Sequence, residues 1–253
     1  MSSSELPHST AQYILFSDYD GTITTRDSND CATDELGFGV DRRRELNVEI
    51  LNGQKTFRDA FAEMLQSVCD NGHDFEYVKT YLVKHIGLDE GFKTCFEWCN
   101  GHGVPVVIVS SGMKPIIQAT LTNLVGLEHA SLIDIIANDV ELLPEGKWRI
   151  TYRHPESGFG HDKSRATAPY RELPHRPTLF FCGDGVSDLS AARAADLLFV
   201  KVIPGHTNDL KVHCDREGIP YVPFENFAEV QEVIASVVEG KKTIQDHLAA
   251  VKK

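Results

Sequence analysis

Four short runs constrain the fold more than anything else in this chain. Residues 13–17, 104–110, 178–182 and 197–202 are nearly continuous in β-branched, aromatic and aliphatic side chains, without the in–out alternation of a strand that has one face in water. Strands of that kind need cover on both faces, which a parallel sheet flanked by helices supplies. Helical spacing lies between them: residues 113–124 with Pro115 in the first turn, residues 187–195, and residues 227–238, where Phe227, Val230, Ile234 and Val237 form one stripe. The expected class is therefore α/β, a doubly wound, Rossmann-like parallel sheet.

One stretch breaks the alternation. From about Asp27 to Gly87 there is no strand signal, and at least two helices are expected, starting at Thr56 and Asp74. Their stripes, Phe57, Phe61, Met64, Leu65, Val68 and Phe75, Val78, Leu82, Ile86, read as packing faces. The expected domains are a core of residues 1–26 and 89–253 and a helical insertion of residues 27–88. Residues 139–152 alternate around Pro144-Glu145-Gly146 like a hairpin flanking the sheet edge, and residues 241–253 read as a short solvated helix.

Composition excludes several functions. With 25 Lys and Arg against 37 Asp and Glu the formal charge is -12, and no dense basic stripe exists to neutralise phosphodiesters or anionic lipids, so neither nucleic acid nor membrane is an expected partner. No run approaches the roughly 20 apolar residues of a bilayer crossing, and residues 1–12 are polar, so a cytoplasmic protein is expected. The six cysteines form no CxxC pair and lie in apolar segments, as reduced core thiols do. Cys95, Cys99 and His102 could share a helix face, but three soft ligands without a fourth make a poor zinc site, and packing is the expectation. Arg42-Arg43-Arg44 reads as a solvated helix face.

In open α/β sheets ligands collect beyond the carboxyl ends of the strands, and there the chain turns polar. Asp18-Tyr19-Asp20-Gly21-Thr22 follows the first strand, Ser110-Ser111-Gly112 the second, and Gly183-Asp184-Gly185-Val186-Ser187-Asp188 the third, with Lys163 before it. Carboxylates gathered at one edge repel unless a divalent cation or protons compensate them. Oxygen donors with room for water and a phosphate suit Mg2+; zinc would want His or Cys. Lys163, Ser110 and the amides of an expected Gly112 turn opening a helix suit a dianionic phosphate. One carboxylate can attack phosphorus and a second can protonate the leaving oxygen, and Asp18 and Asp20 fit those roles, their like charges raising one pKa. Singly, each residue also has an ordinary structural use as a cap, a surface cation or a tight turn.

These four segments, in this order across residues 18–188, resemble the motifs of haloacid-dehalogenase-type phosphatases. The resemblance implies that Asp18 is nucleophile and metal ligand, Asp20 the acid/base whose carbonyl also binds metal, and Asp184 a further ligand. It implies that Asp188 serves the metal site, and that Thr22, Ser110, Ser111, Gly112 and Lys163 lie by the phosphate. The insertion resembles the helical cap of the phosphoserine phosphatase branch, with Asn52-Gly53 before Phe57 and Asp27 at the position of a cap-mouth acid. Met64 stands where that branch carries a substrate-binding arginine. Residues 196–227 are similar to the methylthiopentenyl-phosphate phosphatases of methionine salvage, although the loop 153–162 before Lys163 lacks their cysteines and carries His154 and His161. The resemblance implies a magnesium-dependent phosphatase of a small phosphorylated metabolite, acting as a monomer or homodimer. Alternatives are a phosphomutase, which returns the phosphoryl group to substrate, and a silent phosphate-binding scaffold; a dehalogenase would not need Asp20.

Overall fold

The apolar runs become the middle of a mostly parallel, seven-stranded sheet. The computed structural model describes residues 6–205 and 208–251. Its strands are β1 (Tyr13–Ser17), β2 (Val106–Met113), β3 (Asp134–Leu142), β4 (Trp148–Thr151), β5 (Thr178–Gly183), β6 (Leu197–Lys201) and β7 (Val222–Phe224), in the order β4-β3-β2-β1-β5-β6-β7. β1 is parallel to β2 and β5, β5 to β6, and β6 to β7, whereas β3 and β4 are antiparallel. Every residue of β2 and β6 is buried, which is why neither run alternates.

The chain forms two compact units, one of Met1–Ile23, Asp89–Val109 and Lys163–Lys253, the other of Thr24–Leu88 and Ser110–Asp162. In the first, Leu15 of β1 lies in register with Val106 on one side and Phe180 on the other, so three apolar strands share one layer. Helix Phe227–Val238 begins where its stripe begins: Asn226 caps it by accepting from the Ala228 amide, and Phe227, Val230 and Ile234 are buried. Each of those three side chains contributes about 1.5–3 kcal/mol of burial. Cys95 and Cys99 lie on the buried face of Phe92–Gly101, while the His102 ring stacks on Trp98 at 4.1 Å. All six thiols are free and buried, so the cysteines pack rather than bridge.

In the second unit, Thr56 Oγ1 accepts from the Asp59 amide at 3.1 Å and Asp74 Oδ1 from the Tyr77 amide at 2.7 Å, opening helices Phe57–Asp70 and Phe75–His85 at the expected residues. Two further helices, Ser28–Leu36 and Val40–Leu51, precede them. Phe61, Met64, Leu65, Val68, Phe75 and Val78 join Trp148 in one apolar cluster, and Trp148 Nε1 donates to His73 O at 2.9 Å. Arg42 pairs with Glu45, Glu49 and Glu63, and Arg43 with Asp30 and Asp34, the ordinary work of a charged helix face. The expected hairpin is β3–β4, with Leu142 opposite Trp148 and the intervening turn carrying Glu145 at φ 61°. Helix Ile244–Val251 occupies the expected C-terminal segment, whose last two residues lie outside the described residues.

Candidate active site

Asp18 is the first residue past β1, still held in the ladder by its amide, which donates to Cys182 O at 2.8 Å. The chain then turns at once. The Ile23 amide donates to Tyr19 O at 2.9 Å, Tyr19 is fully buried, and Gly21 takes φ 76°, a left-handed conformation that favours glycine. A Cβ at Gly21 would sit 2.6 Å from Asp184 Oδ2, so the turn lies close against the carboxylate that follows β5. Thr22 Oγ1 donates to Asp184 Oδ1 at 2.9 Å. Asp18 and Asp20 are both buried.

The second turn is closed by Asp188, whose Oδ2 accepts from the amides of Asp184 at 3.0 Å and Gly185 at 3.1 Å. A Cβ at Gly183 would meet Asp188 Cγ at 2.6 Å, so this turn too depends on glycine. Lys163 joins the two turns. Its Nζ, with no solvent exposure, is 2.7 Å from Asp18 Oδ1 and 2.7 Å from Asp188 Oδ1. Asp18 Oδ1 also accepts from the Tyr19 amide at 2.7 Å.

The electrostatics follow from this geometry. Burial, reinforced by Asp188 and Asp184, pushes the Asp18 carboxyl well above the usual carboxylate range, and Lys163 opposes that shift. Burial alone would lower the Lys163 ammonium, but Asp18 and Asp188 outweigh it and hold the pKa above its ordinary value, so the charge persists. Oxygens of Asp18, Asp184 and Asp188 lie within 4.8 Å of one another. Three carboxylates thus gather where one ammonium pairs with two of them, a set of oxygen donors that could hold a hard dication.

The remaining candidates belong to the second unit. Ser110 Oγ accepts from the Gly112 amide at 2.9 Å, and His161 Nδ1 donates to Ser110 O at 2.6 Å. Ser111 Oγ is buried without a hydrogen-bond partner among the described residues. The expected turn at Gly112 is instead strand, because β2 runs on to Met113 and the next helix starts at Lys114. Asp27 caps helix Ser28–Leu36, its Oδ1 accepting from the amides of Asn29 at 2.7 Å and Asp30 at 2.9 Å. His154 Nδ1 accepts from the Asp162 amide at 3.1 Å. Met64 is enclosed in the apolar cluster of its own unit.

Comparison with known proteins now adds the family. The profile described as haloacid dehalogenase-like hydrolase matches residues 15–193. The chain belongs to the haloacid dehalogenase-like hydrolases. It is 43% identical over 241 residues to the polyol phosphate phosphatase PYP1 of Saccharomyces cerevisiae, covering 92% of this chain and 97% of that protein. It is 24% identical over 232 residues to a 2-hydroxy-3-keto-5-methylthiopentenyl-1-phosphate phosphatase of Bacillus cereus, covering 90% and 98%. A substrate-bound phosphoserine phosphatase complex superposes with a TM-score of 0.62 at 16% identity, over 88% of this chain and 98% of that one, and so shares its fold. This haloacid dehalogenase-like hydrolase is a phosphoric monoester hydrolase acting on a small phosphorylated compound. Among its described residues no helix is long and apolar enough to cross a membrane.

One buried ionic pair of the first unit escaped the motif reading. Lys201, the last residue of β6, is paired with Asp89. The rule that located Asp18 and Asp184, a polar residue where an apolar strand ends, also marks Lys201.

Proposed function

We propose that this chain is a magnesium-dependent phosphatase that hydrolyses a phosphorylated polyol or a similarly small phosphomonoester through an aspartyl phosphate at Asp18. The observation that carries the reading is the buried ammonium of Lys163 bridging Asp18 and Asp188 at 2.7 Å each, with Asp184 beside them. An all-oxygen donor set without His or Cys suits magnesium. Asp18, Asp184 and Asp188 would hold the ion together with the Asp20 carbonyl, and magnesium when bound would neutralise charge on the transferring phosphate.

An Asp18 carboxylate oxygen attacks phosphorus and the bond from phosphorus to the leaving oxygen breaks, that oxygen taking a proton from the Asp20 carboxyl. Water then gives a proton to the Asp20 carboxylate as its oxygen bonds to phosphorus. The bond between Asp18 and phosphorus breaks, and phosphate leaves with both aspartates restored. Lys163 opposes the rise that burial imposes on the Asp18 carboxyl and fixes the oxygen that attacks. Thr22 orients Asp184 through its hydroxyl. Ser110, Ser111 and Gly112 bind the phosphate, and residues 27–88 act as a cap that selects the leaving group, with Asp27 at its mouth. The polyol class rests on the likeness to the yeast enzyme. A cytoplasmic setting agrees with the six free thiols.

The test is hydrolysis of para-nitrophenyl phosphate and a panel of polyol phosphates, phosphoserine and enol phosphates, with magnesium and with chelator. Activity should need magnesium, favour polyol phosphates and vanish in Asp18→Asn. Unchanged turnover in Asp18→Asn refutes the nucleophile, and a preference for phosphoserine refutes the substrate class.

A further inference from the structure

Lys201 and Asp89 form an ion pair that the reaction just described does not use. Lys201 is 7% exposed and Asp89 4%, and they lie 112 residues apart in the sequence. Asp89 is heavily engaged: its Oδ1 accepts from the amides of Gly91 and Phe227, both at 2.9 Å, while its Oδ2 takes the Lys201 ammonium. That ammonium lies over the rings of Phe224 at 5.2 Å and Phe227 at 5.9 Å, and reaches the carbonyl oxygen of Thr22 at 3.5 Å. The Asp89 backbone amide donates to Ile23 O at 2.9 Å, so the Lys201 ammonium and the Asp89 backbone hold the end of the catalytic turn at two successive carbonyls, Thr22 and Ile23.

A buried ion pair is poor value as a source of stability, because well-packed apolar residues of similar volume often do as well. What this pair does provide is position. Thr22 is held on its backbone by Lys201 and on its side chain by Asp184, and the preceding Gly21 lies so close that a Cβ there would meet Asp184 Oδ2 at 2.6 Å. Asp20 lies two residues from the gripped carbonyl, inside the same turn. We infer that the buried Lys201–Asp89 pair is a positioning device that sets the Asp20–Thr22 turn, and through it the carboxyl that protonates the leaving oxygen. The inference rests on the acid role of Asp20 proposed above and adds two residues to that site.

The experiment measures kcat and KM for Lys201→Met/Asp89→Asn, for Asp20→Asn and for the parent on phosphate esters graded from para-nitrophenol to simple alcohols. The double variant removes both charges while Asn keeps the oxygen that receives the Gly91 and Phe227 amides. A misplaced acid matters most where the leaving group is poor, so kcat should fall by about 10–100-fold on alkyl phosphates and little on the nitrophenyl ester, with KM nearly unchanged. Asp20→Asn should show the same graded pattern more strongly. A uniform loss across the esters, or none, in the double variant alongside a graded loss in Asp20→Asn overturns the positioning role alone. A flat pattern in Asp20→Asn overturns the acid role and this inference with it. If the double variant does not fold, Asp89→Asn is read on the same series by the same criteria.

Discussion

Replacing Lys163 by methionine removes the cation that pairs with both Asp18 and Asp188 while keeping a side chain of similar bulk. In the parent protein Nζ is 2.7 Å from both carboxylates and has no solvent exposure, while Asp188 is fully buried and Asp18 nearly so, which leaves little water to replace the lost partner. Breaking one such buried pair costs roughly 3–5 kcal/mol, and for a chain of this size each kcal/mol lowers Tm by about 2–4 °C, giving a fall of roughly 6–20 °C. The loss is pH-dependent with a definite sign. Burial already raises the Asp18 carboxyl above its unfolded value, and Lys163 is the group that opposes the rise, so the variant raises it further. A carboxyl raised on folding favours the folded state below its unfolded pKa and loses that advantage as pH climbs through the folded pKa. The gap between parent and variant should therefore widen as pH rises from the usual carboxylate range through neutrality. Thermal melts by circular dichroism in chelator across that range provide the readout, and magnesium should stabilise the variant more than the parent because it meets one more uncompensated charge. An equal Tm for both proteins, or a gap that narrows as pH rises, would refute the electrostatic account of the cluster.

Other substitutions probe the turns and the second unit. Gly21→Ala places a Cβ 2.6 Å from Asp184 Oδ2 at φ 76°, which should cost about 1–2 kcal/mol in backbone strain alone and depress kcat; parent-like melting and turnover would contradict the close approach. Met64→Ala empties a place in the apolar cluster of the second unit and should lower stability by roughly 2–5 kcal/mol in urea denaturation. A cost below about 1 kcal/mol would mean that Met64 is not packed as described. Magnesium at 100 times its dissociation constant should add about 2.7 kcal/mol, seen as a Tm rise that chelator reverses. No shift, with Asp184→Asn behaving like the parent, would count against a metal at this cluster.

The sheet was legible because its central strands are buried on both faces, and residues 13–17 and 227–238 have the boundaries that their patterns indicate. Thr56 and Asp74 announced their helices through capping chemistry. Helix Ser28–Leu36 was not anticipated, and of helix Val40–Leu51 only the solvated face at Arg42-Arg43-Arg44 was. The first is largely polar, and its cap, Asp27, reads as a functional acid; the second has Leu46 as its one fully buried residue and is dressed with Arg–Glu and Arg–Asp pairs, so no stripe stands out. β7 is three residues long with a proline in its middle, too little for a strand signal. At the site, the motifs brought Asp18, Thr22, Lys163, Asp184 and Asp188 to notice, but not their pairing. Lys163 binding Asp188 as well as Asp18, and Thr22 donating to Asp184, are consequences of how two turns meet, which spacing along the chain does not encode. The Lys201–Asp89 pair lay outside every motif for the same reason.

The account stands or falls on covalent attack by Asp18. Enzyme mixed with a fast-reacting aryl phosphate and magnesium, quenched in acid during the burst and treated with hydroxylamine, should yield a hydroxamate that peptide mass spectrometry places at Asp18. A hydroxamate on a different carboxylate, or none while inorganic phosphate accumulates in the burst, would contradict it.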